Sequence, residues 1–440
     1  MADKAKTLRI LMIVENCSFV RDPRVRREAK ALYSAGHQVS VVCPGAEHGQ
    51  PLREYIDGIA VYRYRPLPAG IKPLGYVLEY LYATLAIAVL SLVVLMREGF
   101  DVIHLANPPD TMVLSVAPYR LIGKRIIYDQ HDLCPELYAA KFACPSSLVF
   151  SLLLWLERWS YRLADHVITT NDSYKERALL RGHIPESKIT VVRNGPSLST
   201  ISSSAMDPEL RSKSKNIIVY AGTIGSQDGL DCLCRILHRL RYDLRREDFL
   251  CVVMGDGDAL PQIKSLVQEL QLGSKVWFTG WIDDAVKYQR YLSTADICVS
   301  PDPVNGYNNR STFIKIMEYM AAGKPIVTFD LEETRYSAQA AALYARADDE
   351  QQFAVYLTEL MDQPALRHEL GQRGQKRIRE ALAWEYSLPQ LERAYAASLQ
   401  TRTMLFRRFA IQIGDRVGGG RQPAGVEVSR GSADSVADLQ

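Results

Sequence analysis

Short apolar runs that end in turn residues, each followed by a helix with one apolar face, recur along the first half of the chain. Leu8–Glu15 (LRILMIVE) is such a run, and a polar loop leads from it into the helix DPRVRREAKALYSAG, stopped by Gly36. HQVSVVCPG reads as the next strand, and FDVIHLA, GKRIIYDQH, HVITTND and KITVVRNG repeat the form. Strands alternating with helices predict a doubly wound parallel sheet. In that architecture ligands meet the loops at the carboxyl ends of the strands.

The pattern breaks after Gly195. GPSLSTISSSAMDPELRSKSKN is rich in Ser and Pro and lacks an apolar period, which predicts a linker over 201–215. A second alternating series follows: NIIVYAGTIG, a helix through Leu230–Leu240, DFLCVVMGDGD, a helix through Ile263–Leu270, KVWFTGW, DICVSPDP, a further helix and KPIVTFDL. The expected organisation is an α/β domain over 1–200 and another over 216–384, with a ligand cleft between them. From residue 401 the chain is first basic (TRTMLFRRFA) and then rich in Gly, Ser and Asp, so 401–440 is expected to be largely disordered.

Length and composition narrow the function classes. A chain of 440 residues is too long for one core, and 47% hydrophobic with 23% charged residues is ordinary for a globular protein. A net charge of +3, with no run of basic and aromatic residues, argues against nucleic-acid binding. The 8 cysteines are scattered without C-x-x-C pairs, which speaks against zinc and for a reduced, cytosolic setting. MADKAKTLRILMIVE turns polar too soon for a signal peptide.

Tyr80–Met96 (YLYATLAIAVLSLVVLM) complicates the picture, because Thr84 and Ser91 are its only polar side chains apart from tyrosine. It falls just short of the ~20 residues of a bilayer span. Three readings stand: a helix buried on every side, a helix with one face in a membrane surface, and a span. SLLLWLERWSYRLAD sets Trp155 and Trp159 near Arg158 and Arg162, which suits a lipid interface or domain packing equally.

The densest chemistry lies in YNNRSTFIKIMEYMAAGKPIVTF, residues 307–329. Ser311 and Thr312 are helix N-cap types, and Ile314, Met317, Met320 and Ala321 follow at helical spacing. Gly323, Lys324 and Pro325 stop the helix. Arg310, Lys315 and Glu318 cluster within about two turns of a helix start with free N–H groups. That is an anion site with a hydroxyl reader behind it, or a solvated charge pattern. Asp256-Gly257-Asp258 has the spacing of a metal-binding acid pair, but it sits in a Gly-rich turn after a strand, where such residues are common.

IIVYAGTIGSQDGL, VVMGDGD, VWFTGW, ADICVSP and MEYMAAGKPIV, taken in order, resemble a retaining GT-B glycosyltransferase of family 4. The likeness covers most of 8–395 and includes WEYSLPQLERAY, similar to the family's C-terminal helix. EYMAAGKPIVTFDLEETRYSA is similar to a segment of bacterial exopolysaccharide and O-antigen transferases. The resemblance implies an α/β GT-B fold, two doubly wound Rossmann-like domains facing a cleft, with a helix over 385–400 crossing back onto the first. It implies metal-independent, cofactor-free transfer of a hexose-type sugar from a UDP- or GDP-sugar, with retention. The acceptor would be a glycan or polyprenyl-linked intermediate of surface polysaccharide or lipopolysaccharide synthesis, reached from the cytoplasm at the inner face of the plasma membrane.

The resemblance and the residues' own chemistry together suggest a site. His131 is the expected catalytic contact to the donor sugar. Gly222, Thr223, Asn194, Arg310, Ser311, Thr312, Lys315 and Glu318 are placed at the donor. Arg21, Asp22, Arg24, His104, Asp132 and Glu136 are expected on the acceptor side, while a solvated helix start (Arg21, Asp22, Arg24), a structural histidine (His104) and capping of the next helix (Asp132, Glu136) fit the same residues. The chain departs from the commoner pattern at three points. Arg310 stands where the first acid of an E-x7-E motif belongs, and Thr223 and Asp228 stand where many relatives carry cations. A diphosphate leaving group is poorly stabilised by N–H groups alone, so the positive charge is expected to come from Arg310 or Lys315 instead. The same departures fit two alternatives, a GT-B-fold sugar-nucleotide epimerase and a catalytically idle nucleotide-sugar-binding subunit.

Overall fold

The computed structural model describes residues 7–45, 50–67, 73–142, 144–201 and 205–417. Its first half runs β1 (Arg9–Val14), α1 (Pro23–Ser34), β2 (Gln38–Pro44), β3 (Arg53–Ile56), β4 (Ile59–Tyr64), α2 (Pro73–Arg97), β5 (Val102–Ala106), α3 (Met112–Val116), β6 (Arg125–Gln130), α4 (Cys134–Lys141), α5 (Ser147–Leu163), β7 (His166–Thr169), α6 (Asp172–Gly182) and β8 (Ile189–Val191). The strands form one 8-stranded sheet in the order β3-β4-β2-β1-β5-β6-β7-β8, parallel except for β3 against β4. The parallel strands are predominantly apolar because helices cover both faces of the sheet. The β3–β4 hairpin is absent from the strand pattern read above. Asp57 and Gly58 at its turn have φ of 51 and 84, the backbone a two-residue type I′ hairpin turn requires, and Asp-Gly is the sequence signal for it.

The second half runs α7 (Pro208–Ser212), β9 (Asn216–Ala221), α8 (Leu230–His238), β10 (Phe249–Met254), α9 (Leu260–Glu269), β11 (Val276–Gly280), α10 (Ala285–Thr294), β12 (Ile297–Ser300), α11 (Ile314–Ala321), β13 (Ile326–Phe329), α12 (Glu332–Ala338), β14 (Ala342–Ala345), α13 (Glu350–Asp362), α14 (Pro364–Arg377) and α15 (Trp384–Val417). Its 6-stranded sheet, ordered β11-β10-β9-β12-β13-β14, is parallel throughout. In each sheet the chain reverses its winding beside the first strand, between β1 and β5 and between β9 and β12. Crevices therefore open at the carboxyl ends of those strands.

Two expectations about connections need correction. The linker over 201–215 contains α7, capped by Asp207 and anchored by the buried Leu210; one apolar residue is too few to show a period (202–204 lie outside the described residues). The C-terminal helix does cross back. Leu391, Ala394 and Tyr395 are buried, and the Tyr395 hydroxyl meets His104 Nδ1 at 2.9 Å. That helix extends to Val417, so the tail expected to be disordered from 401 begins as helix, and 418–440 lie outside the described residues. α2 is not buried on every side. Ala83, Ile87 and Val94 pack on the first sheet's core, whereas Leu81, Leu85, Val89 and Leu92 are exposed.

Candidate active site

On the first sheet, the loop after β6 carries His131. Asn107, after β5, fixes this loop by accepting from the backbone N–H of His131 (2.7 Å) and of Asp132 (3.1 Å). His131 Nε2 lies 2.6 Å from Asp129 Oδ2, which leaves Nδ1 as the ring nitrogen for a ligand. Asp129 is in turn gripped by Arg24, through Nε at 2.9 Å and Nη2 at 2.7 Å. Burial pulls the imidazole toward neutrality, but the Asp129 carboxylate overrides it and the His131 pKa stands above the usual value. Burial works against the Asp129 charge as well, yet Arg24 and His131 hold its pKa well below the carboxylate range. The result is a partly exposed imidazole on a rigid mount, its charged form favoured by Asp129.

Several residues expected to meet an acceptor are committed elsewhere. Arg24 is buried, bound to Asp129 and, at 3.1 Å, to Glu28, so it faces neither acceptor nor solvent. Asp22 is the N-cap of α1, accepting from the N–H groups of Arg24 and Val25. His104 is fully buried between Tyr395, Asp129 (3.3 Å) and Glu28 (3.4 Å), so it joins α15 to the sheet. Glu136 is paired with Arg181. Arg21 is the exception. It stays exposed and reaches toward Asp283 of the second half at 3.6 Å.

Glu28, His104 and Asp129 present ligand atoms within 4.8 Å of one another, the one group with metal-like spacing among the described residues. The Arg24 guanidinium lies between the two carboxylates and supplies the positive charge there, so the trio does not fit a metal. Of the acid pair in the Gly-rich turn, Asp258 is ion-paired with Lys141 at 2.7 Å and Asp256 bonds the Gly257 N–H.

On the second sheet, the loops after β9, β10 and β12 converge. A Cβ at Gly255 would lie 1.8 Å from the Gly222 carbonyl oxygen, so the first two loops touch through bare backbone. Gly255→Ala is expected to cost about 3 kcal/mol or more in urea unfolding, because backbone cannot move aside as a side chain would. Lys315, in the first turn of α11, is buried with its Nζ 2.7 Å from Asp302 Oδ1 and within 5 Å of the Tyr220 and Phe313 ring centres (4.9 and 4.8 Å). Its Cδ would be 3.7 Å from a Cβ on Gly222, so its stem lies against the loop after β9. Asp228 in that loop caps the Gly225 N–H, and burial pushes its pKa up to about 6, with Lys315 opposing and Asp302 assisting. One turn along α11, Glu318 accepts from the Tyr288 hydroxyl at 2.6 Å, and burial raises its pKa.

Ser311 and Thr312 are not the caps of α11. The helix starts behind Phe313 with no side-chain cap, so its first N–H groups have no such partner. The two hydroxyls instead bind the first half: Ser311 meets Tyr174 at 2.9 Å, and Thr312 accepts from Asn171 at 2.9 Å. Asn171 also binds the Arg310 carbonyl, while the Arg310 guanidinium turns back onto Gly306. Arg310 and Lys315 therefore do not share a site, and only Lys315 lies at the convergence of the strand-end loops. Tyr307 links the two halves by donating to Asp132 at 2.6 Å.

Arg27 escaped the sequence reading. It lies one turn after Arg24, donates to Asn194 Oδ1 at 2.9 Å and stacks on Trp384. Burial lowers its pKa, and Glu318 across the cleft is the largest influence opposing that. The spacing Arg24–Arg27 on one helix was the available signal. Its partners, more than 160 residues away in the chain, were not legible.

Two sequence families match successive parts of this chain. The glycosyl transferase 4-like domain covers residues 22–195, and glycosyl transferases group 1 covers 215–363. An uncharacterized glycosyltransferase of Methanocaldococcus jannaschii is 26% identical over 316 residues, 68% of this chain and 73% of that protein. Among solved structures, sucrose-phosphate synthase of Thermosynechococcus elongatus superposes with a TM-score of 0.67 at 19% identity, over 92% of this chain and 100% of that one. Anabaena HepE in complex with UDP and glucose superposes with a TM-score of 0.65 at 15% identity, over 88% of this chain and 99% of that one. The chain is a glycosyltransferase of the GT-B fold, a glycosyl transferase 4-like domain followed by a group 1 domain.

Proposed function

We propose that this transferase takes a hexose-type sugar from a UDP- or GDP-sugar, without a metal and with retention, and passes it to a glycan or polyprenyl-linked acceptor in bacterial surface polysaccharide synthesis. Residues 216–384 form the donor half and 1–200 the acceptor half, working at the inner face of the plasma membrane. The observation that carries the donor site is Lys315, a buried lysine whose stem lies against Gly222 at the end of β9 and whose Nζ is held by Asp302, with Glu318 one turn further along α11. The UDP complexes of Anabaena HepE, a structural neighbour, support a nucleotide-sugar donor.

In this reading the diphosphate lies between the loop after β9 and the start of α11. Lys315 and the first-turn N–H groups there stabilise the charge that grows on the leaving oxygen. Glu318 accepts from ribose hydroxyls. His131 Nδ1 contacts the donor sugar from across the cleft. The departing phosphate itself receives the acceptor proton, so no protein base is assigned.

A thermal-shift screen of UDP- and GDP-sugars, followed by product analysis, tests the function. One donor is expected to stabilise the protein and release nucleoside diphosphate, and the product anomer should match the donor. An isomerised donor would mean an epimerase, and binding without release an idle subunit. Glu318→Ala is expected to raise the donor KM by about tenfold or more with kcat nearly kept, since a ribose contact holds substrate and transition state alike. Initial rates over a range of donor concentrations check this.

A further inference from the structure

α2, α3 and α5 are successive crossovers between β4 and β5, β5 and β6, and β6 and β7, so they lie side by side on one face of the first sheet. Ser91 of α2 bonds Tyr119 in the turn after α3, and Ser115 of α3 bonds the Thr84 carbonyl. The outward side of this layer is apolar. On α2 the row Leu78, Leu81, Leu85, Val89, Leu92 and Met96 repeats at helical spacing, each 49% to 70% exposed. After α3 come Leu121 and Ile122, at 88% and 59%. α5 adds Leu148, Leu152 and a Trp155–Trp159 pair with ring centres 5.8 Å apart. Single exposed apolar residues need no explanation, but a layer three helices wide does.

The charges on these helices point to the partner. Arg97, Arg158 and Arg162 are exposed, while Glu157 is fully buried against Arg181, and Glu79 is half-buried at the first turns of α2. We propose that this face rests on an anionic lipid bilayer, with α2 and α5 lying in the plane of the headgroups. Tryptophans at the boundary and arginines beside apolar rows are what such a surface selects. α2 is long and apolar enough to span a membrane. It does not span, because its two ends feed β4 and β5 of one sheet, which a crossing would place on opposite sides.

The start of α2 lies at the cleft. There a pocket of about 280 Å³ is lined by Glu15, Arg21, Tyr64, Glu79 and Tyr82. A lipid-linked acceptor with its chain along α2 would present its polar head to this pocket. That last step rests on the transferase reading; the docking face does not.

The test is flotation of the full chain with phosphatidylglycerol-containing and with pure phosphatidylcholine vesicles. Wild type is expected to float with the anionic vesicles and to be released by salt. L85E/L92E is expected to lower partitioning at least about tenfold, and R158E/R162E to lower it on anionic vesicles by a similar factor. All four side chains are exposed, and donor-induced thermal shift serves as the folding control. Equal flotation of wild type and variants would overturn the proposal. So would light scattering that finds a dimer converted to monomer by L85E/L92E. Vesicle binding in a protein that shows no donor shift would support the docking face while counting against the donor reading.

Discussion

Lys315→Met is expected to slow sugar transfer by about 10²–10³-fold, the usual cost of removing one preorganised group that stabilises developing negative charge. The same change leaves the fully buried Asp302 without its cationic partner at 2.7 Å, so stability should also fall, by about 3–5 kcal/mol. The two effects separate in K315M/D302N, where no charge is left unpaired. That variant is expected to recover most of the stability in urea unfolding and little of the turnover. Arg310→Met, whose guanidinium binds the Gly306 carbonyl, should leave turnover within a few-fold of wild type. A K315M/D302N protein that is stable and turns over normally would remove Lys315 from the donor site.

Asp129→Asn should also lower stability, by about 3–5 kcal/mol, because Arg24 and His131 both depend on that carboxylate. Its pH dependence is distinctive. The folded-state pKa of His131 is raised above 6.5, so the stability it contributes is full below that unfolded value and is lost as pH rises through the folded pKa. Asp129 is depressed from 3.8, so its contribution is present above that value and is lost only as pH falls through the depressed one. Wild type should therefore lose stability from about neutral pH upward in proportion to the His131 shift. D129N should be less stable throughout and lack that slope. Urea midpoints from pH 5 to 9 read both.

The parallel strands were legible because each is a short apolar run closed by turn residues, and their alternation with helices dictates the winding. The β3–β4 hairpin lacks that form, since its strands carry polar Arg53, Glu54 and Arg63, and only Asp57-Gly58 signals its turn. α7 is not legible because a five-residue helix shows no period. At the site, sequence located the strand-end loops but not what their side chains face. Arg24 looked like a surface cation beside an acceptor, and its burial follows from Asp129, 105 residues away. His104 sits at a strand end as a ligand would, yet its partner is Tyr395 on α15, 291 residues on. Ser311 and Thr312 have cap chemistry, but Tyr174 and Asn171 of the opposite half claim them. Long-range pairing of this kind has no local signal.

In the proposed mechanism a protein ammonium, not a metal ion, balances the leaving diphosphate. Release of nucleoside diphosphate by wild type, with the donor found in the thermal-shift screen, should be assayed with and without EDTA. Turnover unchanged by EDTA and by added Mg²⁺ or Mn²⁺ is the predicted result. Turnover abolished by EDTA and restored by the metal would contradict it.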